Sequence, residues 1–109
     1  AKYPDPWNNL AVIYSLLGDV DGAIEAMKKT IEIQPYYPEA YNNMASFLMQ
    51  KKEYAQAEKH LKVALRLRKH YGKAYFNYGK MYLQQNKFEE ALPWFKKACL
   101  DADMDNEQG

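Results

Sequence analysis

Chemistry-bearing residues are scarce in this sequence. There is one cysteine, Cys99, in 109 residues, so an internal disulfide and a four-cysteine zinc site are both excluded. Serine occurs only as Ser15 and Ser46, and histidine only as His60 and His70. The two histidines lie ten residues apart beside Lys59, Lys62 and Lys69. Neighbouring ammonium groups disfavour both an imidazolium and a bound cation, so these are expected to be solvated surface histidines rather than metal ligands. The five glycines are isolated from one another, which leaves no phosphate-cradling loop. The longest apolar stretch, Leu10 to Leu17, is broken by Ser15 and falls far short of the ~20 residues of a membrane helix. No basic region followed by an apolar stretch opens the sequence. The expectation is therefore a cytoplasmic protein with no catalytic set, no cofactor, no metal and no membrane insertion.

What is present is packing material. The sequence is 48% hydrophobic and 15% aromatic, with ten tyrosines, which excludes disorder over most of its length. One domain is expected from this length. Its organisation is a period of 34 residues. Trp7, Tyr41 and Tyr75 are in phase, as are Asn9, Asn43 and Asn77. So are Ala11, Ala45 and Gly79; Ala23, Ala57 and Ala91; Met27, Leu61 and Phe95; and Thr30, Ala64 and Ala98. Three units result, at about 4–37, 38–71 and 72–105. Most of the tyrosines fall at packing positions or at the turns between units, so base stacking is not their expected role.

Each unit reads as two helices. Trp7, Leu10, Ala11, Tyr14 and Leu17 recur at three- and four-residue steps. Gly18 can adopt the left-handed conformation that ends a helix, Asp19 is placed to cap the next one, and Pro35 stops it. Small residues let helices approach closely and large ones fill the adjoining space. One unit cannot bury its apolar face alone, but three stacked units can. The expected fold is all-α: a right-handed solenoid of three helix-turn-helix repeats with a concave and a convex face. Lys52 and Asn86 stand where the first unit has Gly18. Lysine should cost about 1 kcal/mol there if the backbone is left-handed. Pro93, inside the last helix, should bend it mildly.

Trp7, Leu10, Ala11, Tyr14, Gly18, Ala23, Met27 and Pro35, with their recurrences, resemble the tetratricopeptide repeat. The resemblance spans residues 4 to about 103 and implies a protein-interaction scaffold that binds an extended peptide or a helix of a partner protein in its concave groove. It implies that the first helix of each repeat lines a peptide-binding groove. By position that lining is Asp5, Asn8, Asn9, Val12, Ser15 and Leu16; then Glu39, Asn42, Asn43, Ser46, Met49 and Gln50; then Lys73, Phe76, Asn77, Lys80, Leu83 and Gln84. Asn9, Asn43 and Asn77 would form a carboxamide ladder able to bond a peptide main chain. Val12, Leu16, Met49, Phe76 and Leu83 would receive apolar side chains. Asp5 and Glu39 at one end and Lys73 and Lys80 at the other would orient a ligand of opposite polarity. The two-carboxylate clamp of heat-shock co-chaperones corresponds to Asn8, Val12, Asn43, Lys73 and Asn77, of which only Asn43 and Lys73 fit. A co-chaperone is thus the lesser reading.

The near-neutral total of +1 averages over the units: five acids and two bases, then three and seven, then five and five. The basic stripe Lys59, Lys62, Arg66 and Lys69 on one helix is expected to be a solvated face rather than a nucleic-acid site. Residues 104–109 read as a polar tail or the start of a further, truncated repeat, too polar to cover Leu92 and Phe95. Two alternatives to a free peptide-binding module follow. The chain is a structural segment of a longer array, its groove empty or filled by its own chain, or it self-associates through its last repeat.

Overall fold

Turns divide the described residues into six helices: α1 (Asp5–Leu16), α2 (Val20–Ile33), α3 (Pro38–Gln50), α4 (Tyr54–Leu67), α5 (Gly72–Gln84) and α6 (Phe88–Gln108). The computed structural model describes the backbone of residues 5–108 and the side chains of residues 6–100. The expectation for the side chain of Asp5 and for the side chains of the polar tail lies outside the described residues. No strand occurs among the described residues. The strongest packing joins α1 to α2, α3 to α4 and α5 to α6, so each 34-residue unit is one antiparallel hairpin. Successive hairpins join through α2 against α3, α4 against α5, and α3 against α5. The architecture is an all-α helical repeat solenoid.

The turn inside each hairpin is built identically from three different residues. Gly18, Lys52 and Asn86 all have left-handed φ, at +86°, +62° and +62°. Each turn closes with the same backbone bond: Asp19 N–H to the Tyr14 carbonyl at 2.8 Å, and Glu53 to Leu48 and Lys87 to Tyr82 at 2.9 Å each. Such bonds satisfy carbonyls that a helix end would otherwise leave unpaired. The cap at Asp19 is present, with its carboxylate accepting from Gly22 N–H at 2.9 Å. Glu53 occupies the corresponding place before α4 without a side-chain cap. Between units, Tyr37 and Tyr71 start α3 and α5 from extended backbone. Pro38 follows in the first helical turn, where a missing N–H costs nothing. Tyr41 and Tyr75 then donate their hydroxyls back to the Pro35 and Lys69 carbonyls at 2.7 and 2.8 Å.

The core follows the in-phase rows. Ala11, Ala23, Ala45, Ala57, Met27, Leu61, Thr30 and Ala64 are all fully buried. Thr30 disposes of its hydroxyl locally by donating to the Ala26 carbonyl at 3.3 Å. In the third unit the row changes in a compensated way. Phe95 replaces Met27 and Leu61, and Gly79 replaces Ala11 and Ala45. A Cβ at Gly79 would lie 2.9 Å from ring carbons of Phe95, closer than such atoms approach, so the larger ring requires the smaller residue opposite. α6 remains one helix through Pro93 and runs for 21 residues, longer than the 12 to 14 of the others. Asp103 stands there in place of the Pro35 that stops α2.

Lys52 carries the backbone penalty of a β-carbon in the left-handed region without a compensating side-chain role. Lys52→Gly should raise unfolding stability by about 1 kcal/mol, read as a higher denaturant midpoint at unchanged slope. Gly18→Ala should lower it by a similar amount.

Candidate peptide-binding groove

The inner helices α1, α3 and α5 carry the residues expected to line a groove. Asn9, Val12 and Leu16 are exposed on α1, and Lys73 and Phe76 on α5; Asn8, Asn43 and Lys80 are half-buried. The Lys80 ammonium lies 5.7 Å from the Phe76 ring centroid, a cation–π separation. Glu39 is half-buried and accepts a bond of 3.4 Å from the Tyr37 hydroxyl.

Three expected lining residues are buried: Met49, Asn42 and Asn77. Met49, expected on the groove floor, is 3% exposed and packs in the core, so it offers a ligand almost no surface. Asn42 is 5% exposed. The reason appears in the carboxamide ladder, which bonds between repeats. Asn43 donates its Nδ2 to Asn8 Oδ1 at 2.8 Å, and Asn77 donates its Nδ2 to Asn42 Oδ1 at 2.8 Å. Both bonds span 35 residues, one more than the period, so each joins a unit to the next. Asn77, expected to reach a peptide, is 8% exposed with its donor committed to Asn42. Truncating one member of a buried pair leaves the other without a partner, which costs about 1–3 kcal/mol. Further ties join the units: the Tyr78 hydroxyl of the third donates to Glu58 of the second at 3.3 Å, and two more link the first and second. Gln50 donates to Ser15 at 3.2 Å, and the Lys51 ammonium meets Asp21 at 2.6 Å. The adjacent asparagines at 8–9 and 42–43 were the available sequence signal for this pairing.

At the third unit the inner face opens into a recess of about 550 Å³. Asn42, Lys73, Phe76 and Asn77 line one side, and Phe95, Ala98 and Cys99 of α6 the other. The α6 wall was not among the expected lining, because the resemblance assigns the groove to first helices alone. Phe76 makes it possible. It stands at the position of Asn8 and Asn42, and instead of accepting a carboxamide it meets Phe95 edge-on at 5.7 Å. The recess combines two aromatic rings with one exposed ammonium, which suits a ligand with a bulky apolar and an acidic group side by side. Among the described residues no group of three or more His, Cys, Asp and Glu is placed to hold a metal ion. No helix among them is long and apolar enough to cross a membrane.

Close to this site, Tyr71 is the least comfortable buried polar group. Its hydroxyl is buried without a hydrogen bond of acceptable geometry. The Asn42 side chain is near enough to favour the phenolate, but its carboxamide oxygen is taken by Asn77. Burial first, and then the Glu39 carboxylate, push the Tyr71 hydroxyl up to about 12, against the opposing effect of Arg68. Tyr78 is pushed up in the same way, by burial and then by Glu58. A group raised in the folded state contributes stability that is complete below its ordinary value of 10.0 and is lost as pH rises through the folded value. Thermal stability should therefore fall between about pH 10 and 12. Tyr71→Phe should reduce that fall while leaving the neutral-pH melting temperature unchanged or raised. An equally steep fall in the variant would contradict the assignment.

Comparison with known proteins agrees with this geometry. Family models described as tetratricopeptide repeat match residues 36–99 and residues 4–37. No curated protein sequence matches the chain. Among solved structures, the chain superposes on MamA with a TM-score of 0.82 at 19% identity, with 97% of this chain covering 62% of that one. It superposes equally well, at 0.82 and 28% identity, on the first repeat domain of Spaghetti (RPAP3) bound to the HSP90 peptide SRMEEVD, covering 90% of this chain and 78% of that one. The second repeat domain of the same protein, bound to the same peptide, gives 0.80 at 23% identity, covering 89% and 90%. With the matched models spanning most of its length and the helix pairs, turns and in-phase rows in place, the chain belongs to the tetratricopeptide repeat family.

Proposed function

We propose that this protein-interaction repeat module binds an extended peptide of a partner protein along α1, α3 and α5. The observation that carries the reading is the recess at the third unit, where Phe76 and Phe95 converge with Lys73 in about 550 Å³. An aromatic floor takes an apolar side chain, and the ammonium favours and orients an acidic neighbour. Leu16, Val12 and the exposed face of Asn9 continue the surface along α1. The peptide held by the Spaghetti domains combines acidic residues with Met and Val, the same pairing of chemistries. Here, however, only Asn43 and Lys73 match the positions of a two-carboxylate clamp, and Asn43 already bonds Asn8. The ligand expected is therefore an internal acidic-apolar segment rather than a terminal carboxylate.

A second reading has its own observation. Ile13 is 53% exposed, whereas Phe47 and Met81, at the same repeat position, are buried. Leu92 and Leu100 of α6 are exposed as well. Both flanks have the apolar character of faces that stack on another repeat or on a second copy, which supports a structural segment within an array.

Selection from a displayed random-peptide library, followed by calorimetry, separates the two. Enriched peptides should pair acidic with bulky apolar residues. Lys73→Glu and Phe76→Ala should each weaken them by about tenfold or more, with helical content unchanged by circular dichroism. No enrichment, or peptides bound equally by both variants, would favour the structural reading.

A further inference from the structure

The outer face contains two crevices at equivalent repeat positions, and they differ. The first lies between α2 and α4 with α3 beneath, on the side of α3 opposite the groove residues. Its floor is apolar, with Ile31 half-buried and Ile24, Met44 and Leu48 buried beneath it. It encloses about 620 Å³. The second, between α4 and α5 and the turn that precedes α6, retains about 280 Å³. The fold is the same, so the difference comes from side chains. Tyr78, Tyr82 and Trp94 stand in the second crevice where Met44, Leu48 and His60 stand in the first. Tyr78 and Trp94 stack at 4.0 Å and 7°, filling the space. The register is secure, because Tyr41 meets His60 at 6.2 Å as Tyr75 meets Trp94 at 6.1 Å.

Charge differs in parallel. The open crevice is rimmed by Asp21, Glu25, Glu32 and Glu53, with Lys28 and Lys51 the lining cations. Those two pair with Glu25 and Asp21, and Lys29 pairs with Glu32 at 3.5 Å, so four acids meet three cations and the rim keeps a small net negative charge. One repeat on, the positions of Glu25, Glu32 and Glu53 hold Lys59, Arg66 and Lys87, of which Lys87 lines the smaller crevice together with Glu58. One unit thus carries an open, acidic crevice over an apolar floor, and its neighbour a closed one with cations at those rim positions.

We propose that the crevice between α2 and α4 is a second docking surface, for a cationic amphipathic helix of a partner protein. Its apolar side chains would rest chiefly on Ile31, over the edges of the buried Ile24, Met44 and Leu48, and its Lys or Arg side chains would meet the acidic rim. Helix-in-groove docking of this kind reads anchors spaced three or four residues apart. Opposite charge at the rim favours encounter and rejects acidic helices. The surface is separate from the groove, and its fate does not depend on the peptide reading.

The repeat supplies its own control substitutions. The probe is a fluorescent model helix of leucine and lysine, with a leucine and glutamate helix of equal length and apolar face as its counterpart. Anisotropy should show the cationic helix binding at least about tenfold more tightly than the acidic one, and more weakly as salt screens the rim. Met44→Tyr/Leu48→Tyr/His60→Trp, which imports the fillers of the second crevice, should weaken binding by about tenfold or more. Glu25→Lys/Glu32→Arg should do the same at exposed positions where folding is not at risk, and decides the matter if the filled variant does not fold. Phe76→Ala, in the groove, should change nothing. Equal binding of the cationic helix by the folded charge variant would overturn the proposal, as would failure of the wild type to prefer that helix. Self-association in sedimentation that Glu25→Lys/Glu32→Arg abolishes would overturn the occupant, making it a second copy.

Discussion

The structure depends on close approach of paired helices where a small residue faces a large one. Ala11, Ala45 and Gly79 sit on the first helices, and Met27, Leu61 and Phe95 on the second. These side chains are fully buried in the first two units. Interiors packed this tightly register a change of one methylene, so the pair acts as a matched set. The third unit shows the match directly, because its larger Phe95 occurs with a glycine whose Cβ would have no room. The spacing of each hairpin fixes where its inner helix lies and therefore where the groove residues point. It also fixes the distance between outer helices, and so the presence of crevices on the far side.

On that frame, polar groups set register rather than supply bulk stability. The bonds from Asn43 to Asn8 and from Asn77 to Asn42 join neighbouring units in one alignment, because a buried carboxamide has few alternative partners. Phe76 ends the series. Where the first two units present an acceptor to the unit that follows, the third presents an aromatic ring and a recess. The same residue therefore ends the ladder and opens the candidate site.

Much of the fold was legible because it repeats. The helices, the left-handed turns at Lys52 and Asn86 and the small-residue rows follow from local chemistry stated three times over, and the cap at Asp19 from a single residue. The groove was less legible for a physical reason. Position in a helix tells which face a residue occupies, but not whether the next hairpin covers it. Met49 lies on the expected helix and is nonetheless buried. Asn77 has a ligand-competent side chain that a neighbouring unit consumes. Phe95, Ala98 and Cys99 join the recess through tertiary packing, which no single-helix pattern reports. The difference between the two outer crevices was written in the letters at 44, 48 and 60 against 78, 82 and 94, but only the folded structure shows that those letters fill or open a space.

The matching of small and large residues is tested most directly by a double-mutant cycle between Gly79 and Phe95. Gly79→Ala alone should destabilise the fold by about 1 kcal/mol or more, overpacking outweighing the gain in helix propensity. In the Phe95→Leu background, which recreates the Ala45 and Leu61 pair of the second unit, the same change should be neutral or stabilising. The coupling read from denaturant midpoints should then be about 1 kcal/mol or larger. Additive effects of the two substitutions, with Gly79→Ala stabilising in both backgrounds, would contradict the account.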